Sequence, residues 1–166
     1  MNFRYLSILL FALLMQWCGV GLSAAASHSE PPLVVYGKVF NSGVGGRYQL
    51  FSGIMRVKLV NALDPNQVIP LDIPLQPVGP GGLFSYRTSI AQETIPAADR
   101  RSTTLVVGRH PVTYTIQEVT VDGYAAELLD PNEAAQVVTG FSRRGEERRL
   151  DFKAAVPLPD TDLDGI

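Results

Sequence analysis

The chain has 166 residues, 46% hydrophobic and 18% charged, with a formal net charge of −2. No basic excess is present to neutralise a run of phosphates, which excludes a nucleic-acid partner. High hydrophobic content with low net charge likewise excludes disorder for most of the chain, and Gly 15 with Pro 12 favours many turns and short strands.

The N-terminus reads as an export signal. Arg4 supplies the positive region, Tyr5–Leu14 is uncharged, and Ala24-Ala25-Ala26 provides the small residues for cleavage before Ser27. A membrane span needs about 20 apolar residues, and this run is shorter and broken by Gln16. Cys18 follows an apolar run, but Gln16 and Trp17 stand where a lipoprotein signal wants small residues. The expected segments are therefore a signal peptide at 1–26, a short linker at 27–32 and a folded body at 33–153. The processed product loses Cys18, the only cysteine, so its core must hold by packing rather than by disulfides.

From Leu33 onward the pattern predicts strands joined by turns. Leu33–Phe40 is dense in β-formers and closes at Asn41-Ser42-Gly43 and Gly45-Gly46. Strands follow over Arg47–Phe51 and Ile54–Val60, where Met55, Val57 and Leu59 make one apolar face. Asp64-Pro65-Asn66 turns the chain. Pro70 and Pro74 cannot donate to a ladder, so Val68–Leu75 belongs at a sheet edge. A turn at Gly79–Gly82 leads into Leu83–Ile90. Strands at Leu105–Val107 and Val112–Val121 come next, the latter offering Tyr114, Ile116, Val119 and Val121 to the core. Asp122-Gly123 is a two-residue hairpin signal. The best helical candidate is one or two turns in Asn132–Val137. Arg148–Lys153 closes the body with Leu150 and Phe152 on one side. About seven or eight short strands at this spacing predict an all-β fold, an antiparallel β-sandwich.

Ala154–Pro159 is a proline-containing connector, predicted to be extended. It leads to the sharpest chemical signal in the chain, Asp160-Thr161-Asp162-Leu163-Asp164-Gly165-Ile166. Three carboxylates within five residues repel unless a cation lies between them. Oxygen ligands at positions 1, 3 and 5 with Gly at 6 match the opening of a calcium loop. The candidate ligands are Asp160, Asp162 and Asp164, with Ile166 contributing through its carboxylate. The acidic ligand that such loops carry near position 12 is not in this sequence, so the site is expected to be incomplete and weak.

That segment resembles the start of a thrombospondin type 3 repeat and is similar to the calcium loop of dockerins. The body resembles the β-sandwich modules of carboxypeptidase-regulatory or prealbumin-like type found in large exported bacterial surface proteins. The likeness rests on Pro32–Val39, Ser52–Val57, Phe84-Ser85-Tyr86, Val119–Gly123 and Arg144–Phe152. It implies a non-catalytic module beside other cell-surface or extracellular domains, secreted or in the cell envelope.

Other features read as scaffold. His28 lies beside the cleavage site, and His110 sits in a turn with no histidine or cysteine partner for zinc. No serine stands in a Gly-x-Ser-x-Gly elbow, and adjacent Glu146 and Glu147 point to opposite faces. The run Arg143–Arg149 mixes signs and pairs with itself. Gly43, Gly45 and Gly46 precede a strand, not the helix a phosphate loop requires. An exposed row of Tyr48, Phe51 and Tyr86 would support the alternative function, a carbohydrate-binding module of a secreted degradative system.

Overall fold

The computed structural model describes residues 29–43, 48–94 and 103–157. The signal peptide with Cys18 and the aspartate loop at 160–166 lie outside these described residues. The fold is all-β, and among the described residues no helix is long and apolar enough to cross a membrane.

The chain begins as an extended run that changes sheets midway. β1 (Ser29–Gly37) lies in a four-stranded sheet, and β2 (Val39–Asn41) lies in an eight-stranded one. β1 starts ahead of the predicted Leu33. Pro31 and Pro32 lack amide protons, and the register of β1 shifts between Glu30 and Leu33. β3 (Tyr48–Gln49) is a brief partner of β2.

β4 (Ile54–Asn61) and β5 (Val68–Pro74) form the predicted hairpin around Asp64-Pro65-Asn66. Gln67 N–H donates to Asp64 C=O at 2.9 Å, and the Asp64 carboxylate accepts from Asn66 N–H at 3.2 Å. In β4, Met55, Val57 and Leu59 are buried while Arg56 and Lys58 are exposed, as the alternation requires. β5 pairs with β4 alone and is an edge of the large sheet. Pro70 and Pro74 there remove donors from the open side, which discourages further strand pairing.

A 3-10 turn at Pro80–Gly82 leads to β6 (Tyr86–Glu93) in the small sheet, followed by β7 (Leu105–Val106). β8 (Val112–Val121) has the predicted bounds and occupies the centre of the large sheet between β4 and β9 (Tyr124–Leu128). Asp122 (φ 49°) and Gly123 (φ 89°) make the predicted β8–β9 hairpin turn, whose two positive φ values match the strand twist. Glu118 (φ 45°) is the extra residue of a bulge, because β4 pairs Val57 with Val119 but Lys58 with Gln117. The bulge lets Tyr114 and Ile116 share a face with Val119 and Val121 although their parity differs.

β10 (Gln136–Thr139) pairs with the first half of β8. It replaces the helical turns predicted in Asn132–Val137. Asp130–Glu133 forms one tight turn, with Glu133 N–H on Asp130 C=O at 3.1 Å. The β-branched Val137, Val138 and Thr139 that follow suit a strand better than a helix.

β11 (Glu147–Arg149) and β12 (Phe152–Ala154) divide the predicted single strand Arg148–Lys153 between the two sheets. They run parallel to β1 and β2 respectively. β6 and β7 are also parallel. The pairing is therefore mixed rather than purely antiparallel, because two extended segments cross between sheets side by side. One core joins both sheets, with Leu33, Tyr86, Ile90 and Leu150 from the small sheet region packed with Met55, Leu59, Tyr114, Val121 and Phe152. Burial of this apolar set drives the packing.

Candidate functional site

The crossing between the sheets is built around Gly37. A Cβ on that residue would lie 1.8 Å from the Leu150 carbonyl oxygen, so only glycine allows the two segments to approach this closely. Leu150 N–H donates to Tyr36 C=O at 2.9 Å, and Phe152 N–H donates to Lys38 C=O at 2.8 Å. The Asp151 carboxylate accepts from Lys38 N–H at 2.8 Å, filling the gap in the ladder at the bend.

The start of β6 closes the corner from inside. Ser85 N–H donates to Gly37 C=O at 2.8 Å, and the Ser85 hydroxyl oxygen accepts from Val39 N–H at 3.0 Å. The Tyr86 hydroxyl donates to Leu150 C=O at 2.7 Å. Both side chains are fully buried. Burial raises the Tyr86 phenol well above its ordinary range, and the charges of Asp151 and Glu133 add to the effect.

Where the chain leaves the body, Asn41 holds the connector. Its amide nitrogen donates to Val156 C=O at 2.7 Å and to the Tyr48 hydroxyl at 2.8 Å. Its amide oxygen accepts from Gly43 N–H at 2.8 Å and Val156 N–H at 3.2 Å. Ser42 N–H adds a bond to Ala154 C=O at 2.8 Å. Asn41 is fully buried, and its donors and acceptor are satisfied as such a site demands. The connector expected from Ala154 onward is thus part of β12 at Ala154 and bound to the body as far as Val156.

The outer face near the corner carries side chains that neutralise one another. Arg149 forms a two-point ion pair with Asp151 at 3.2 and 2.6 Å, and that hydrogen bonding raises the guanidinium pKa further. The same guanidinium lies 5.7 Å from the Phe84 ring, which meets Tyr36 edge-on at 4.9 Å. Arg87 pairs with Glu147 at 2.7 Å, Arg143 with Glu146 at 3.3 Å, and Arg144 with Glu30 at 3.1 Å. The expected self-pairing of the run Arg143–Arg149 holds for Arg143–Glu146 alone among these pairs, and Glu30, Arg87 and Asp151 supply the other partners. Glu133, partly buried near Asp151 and Asp130, is raised above the ordinary carboxylate range, chiefly by desolvation.

Other sequence candidates are not brought together. His110 is exposed in the β7–β8 connection. Among the described residues, no group of three or more His, Cys, Asp or Glu side chains could hold a metal ion. Asp160, Asp162, Asp164 and Ile166 lie outside the described residues. The aromatic row is corrected. Tyr48 and Phe51 are exposed, but Tyr86 is fully buried because its position in β6 faces the core. A narrow cavity of about 20 Å³ between the sheets is lined by Val35, Val57, Ile73, Thr88, Ile116 and Val137, among others. Its walls present no titratable group apart from the phenol of Tyr86, already bonded to Leu150.

The sequence places Asn41 at the turn that closes the first predicted strand. Its role as a clamp depends on Val156, 115 positions away, and no local pattern signals such a pairing. Comparison with protein-family models, with curated proteins and with solved structures finds no match to this chain.

Proposed function

We propose that this chain is an exported, non-catalytic structural or interaction module. Its body is read as a β-sandwich of Ig-like or prealbumin-like type, and its final segment as part of a calcium-stiffened, thrombospondin type 3-like spacer. The observation that carries the reading is the parallel course of the first and last strands. β1–β2 and β11–β12 run side by side in the same direction. The chain therefore comes into the body at one end and leaves it at the other, so the module adds length between whatever flanks it. Such a course suits a linear chain of domains, and the partners in this reading are other cell-surface or extracellular domains.

The tail supplies the chemistry. Asp160, Asp162 and Asp164 repel when free, and a bound calcium ion removes the repulsion and stiffens the segment. The bond from Asn41 to Val156 holds the connector against the body immediately before that loop begins. Calorimetric titration of calcium into residues 27–166 tests the reading. Binding heat that Asp162→Ala abolishes supports it, and equally flat titrations for both proteins overturn it.

A further inference from the structure

We infer that the body is a shear clamp, built to carry tension applied between its two ends. The inference rests on the spacer reading but concerns the folded body rather than the calcium loop. Its basis is the unbroken series of bonds joining the first extended segment to the last. Val34 N–H bonds Glu146 C=O at 3.0 Å, Leu150 bonds Tyr36 at 2.9 Å, and Phe152 bonds Lys38 at 2.8 Å. Lys38 N–H bonds the Asp151 carboxylate at 2.8 Å, and Ser42 N–H bonds Ala154 at 2.8 Å. Asn41 completes the series with its two bonds to Val156.

Because these segments are parallel, pulling the chain at its two ends drags them in opposite directions along their own axes. Every rung then lies across the load and must fail together with its neighbours. A pair pulled apart from one end instead breaks one rung at a time. The corner strengthens this load path. Gly37 and Leu150 cross between sheets at the same level, so the ladder runs through both sheets. Tyr86 and Ser85 bond to its backbone from within the core.

Single-molecule force spectroscopy on the full chain tests the inference, in a Cys18→Ser background that leaves any added thiol as the sole cysteine. One attachment geometry uses handles at both termini, which loads the ladder in shear. The other uses Ser42→Cys and the C-terminus, which lie at the same end of the β2–β12 pair and load it by unzipping. Forced rupture reads the barrier to unfolding rather than equilibrium stability. At one loading rate the end-to-end geometry should rupture in a single step, at no less than twice the unzipping force. Equal forces, a lower end-to-end force, or gradual extension with no peak would overturn the inference. Val156→Pro removes the N–H donated to Asn41 at the exposed end of the ladder. It should lower the end-to-end force, and an unchanged force would remove the Asn41 clamp from the load path. These outcomes are independent of calcium binding, so failure here and failure of the tail proposal are distinguishable.

Discussion

Gly37 and Leu150 approach so closely that a single added methyl carbon on Gly37 would overlap the Leu150 carbonyl oxygen, 1.8 Å away. This contact sets the level at which both terminal segments leave the small sheet and join the large one. Backbone atoms on both sides leave little room for relief. Gly37→Ala should destabilise the protein by about 3 kcal/mol. Denaturant unfolding of the two proteins measures the difference, and a loss below about 0.5 kcal/mol would show that the corner relaxes.

Tyr86 ties the core to that corner through its hydroxyl. Tyr86→Phe keeps the ring packing and leaves the buried Leu150 carbonyl without this donor, a change expected to cost about 1–3 kcal/mol. The pH dependence has a definite sign. Burial raises the folded-state phenol pKa above the unfolded value of 10.0, so its stabilisation is complete below pH 10.0 and declines as pH rises beyond it. Buried Tyr114, whose phenol is also raised by desolvation, adds to the same decline. Stability curves of the native chain should fall more steeply above pH 10 than those of Tyr86→Phe.

Glu133 gives a second test of the same sign, in the acid range. Its folded pKa is raised by desolvation, so the unfolded state releases the proton at lower pH than the folded state does. Stability from this group is therefore present at acid pH and lost as pH rises through the carboxylate range. Glu133→Gln should raise the melting temperature at pH 7, with the gain shrinking as pH approaches 4. A gain that persists undiminished at pH 4 would point to some other cause.

The β8–β9 hairpin depends on Asp122 in two ways. Its φ of 49° suits the tight turn, and its carboxylate accepts a hydrogen bond from Ile54 N–H at 2.8 Å. Asp122→Ala loses the bond and places alanine in a left-handed conformation it tolerates poorly. Thermal unfolding should show a loss of about 1–2 kcal/mol, whereas Asp122→Asn should retain most of the stability.

Much of the body was legible because local chemistry decides it. Asp122-Gly123 can hardly be anything but a tight hairpin turn, and Pro70 with Pro74 confines β5 to an edge. The corner was hidden by its own regularity. Val35, Gly37, Val39 and Asn41 are all buried, so a two-residue period runs through the bend and the segment reads as one strand. Leu150 and Phe152 conceal the second crossing in the same way. The bulge at Glu118 left a trace, since Ile116 and Val119 cannot share a face of a regular strand. β9 and β10 gave weak signals, with Glu127 and Ala-rich segments in place of clear alternation. The clamp at Asn41 and the load path through it depend on contacts more than a hundred residues apart, which spacing along the chain does not encode.

The account rests on the terminal segments being locked together as a stable part of the body. Native-state amide hydrogen exchange tests this most directly. The Leu150 and Phe152 amides, which bond to Tyr36 and Lys38, should exchange as slowly as those of Val57 and Val119, through opening of the whole fold. Fast exchange at Leu150 and Phe152 while β4 and β8 stay protected would contradict it.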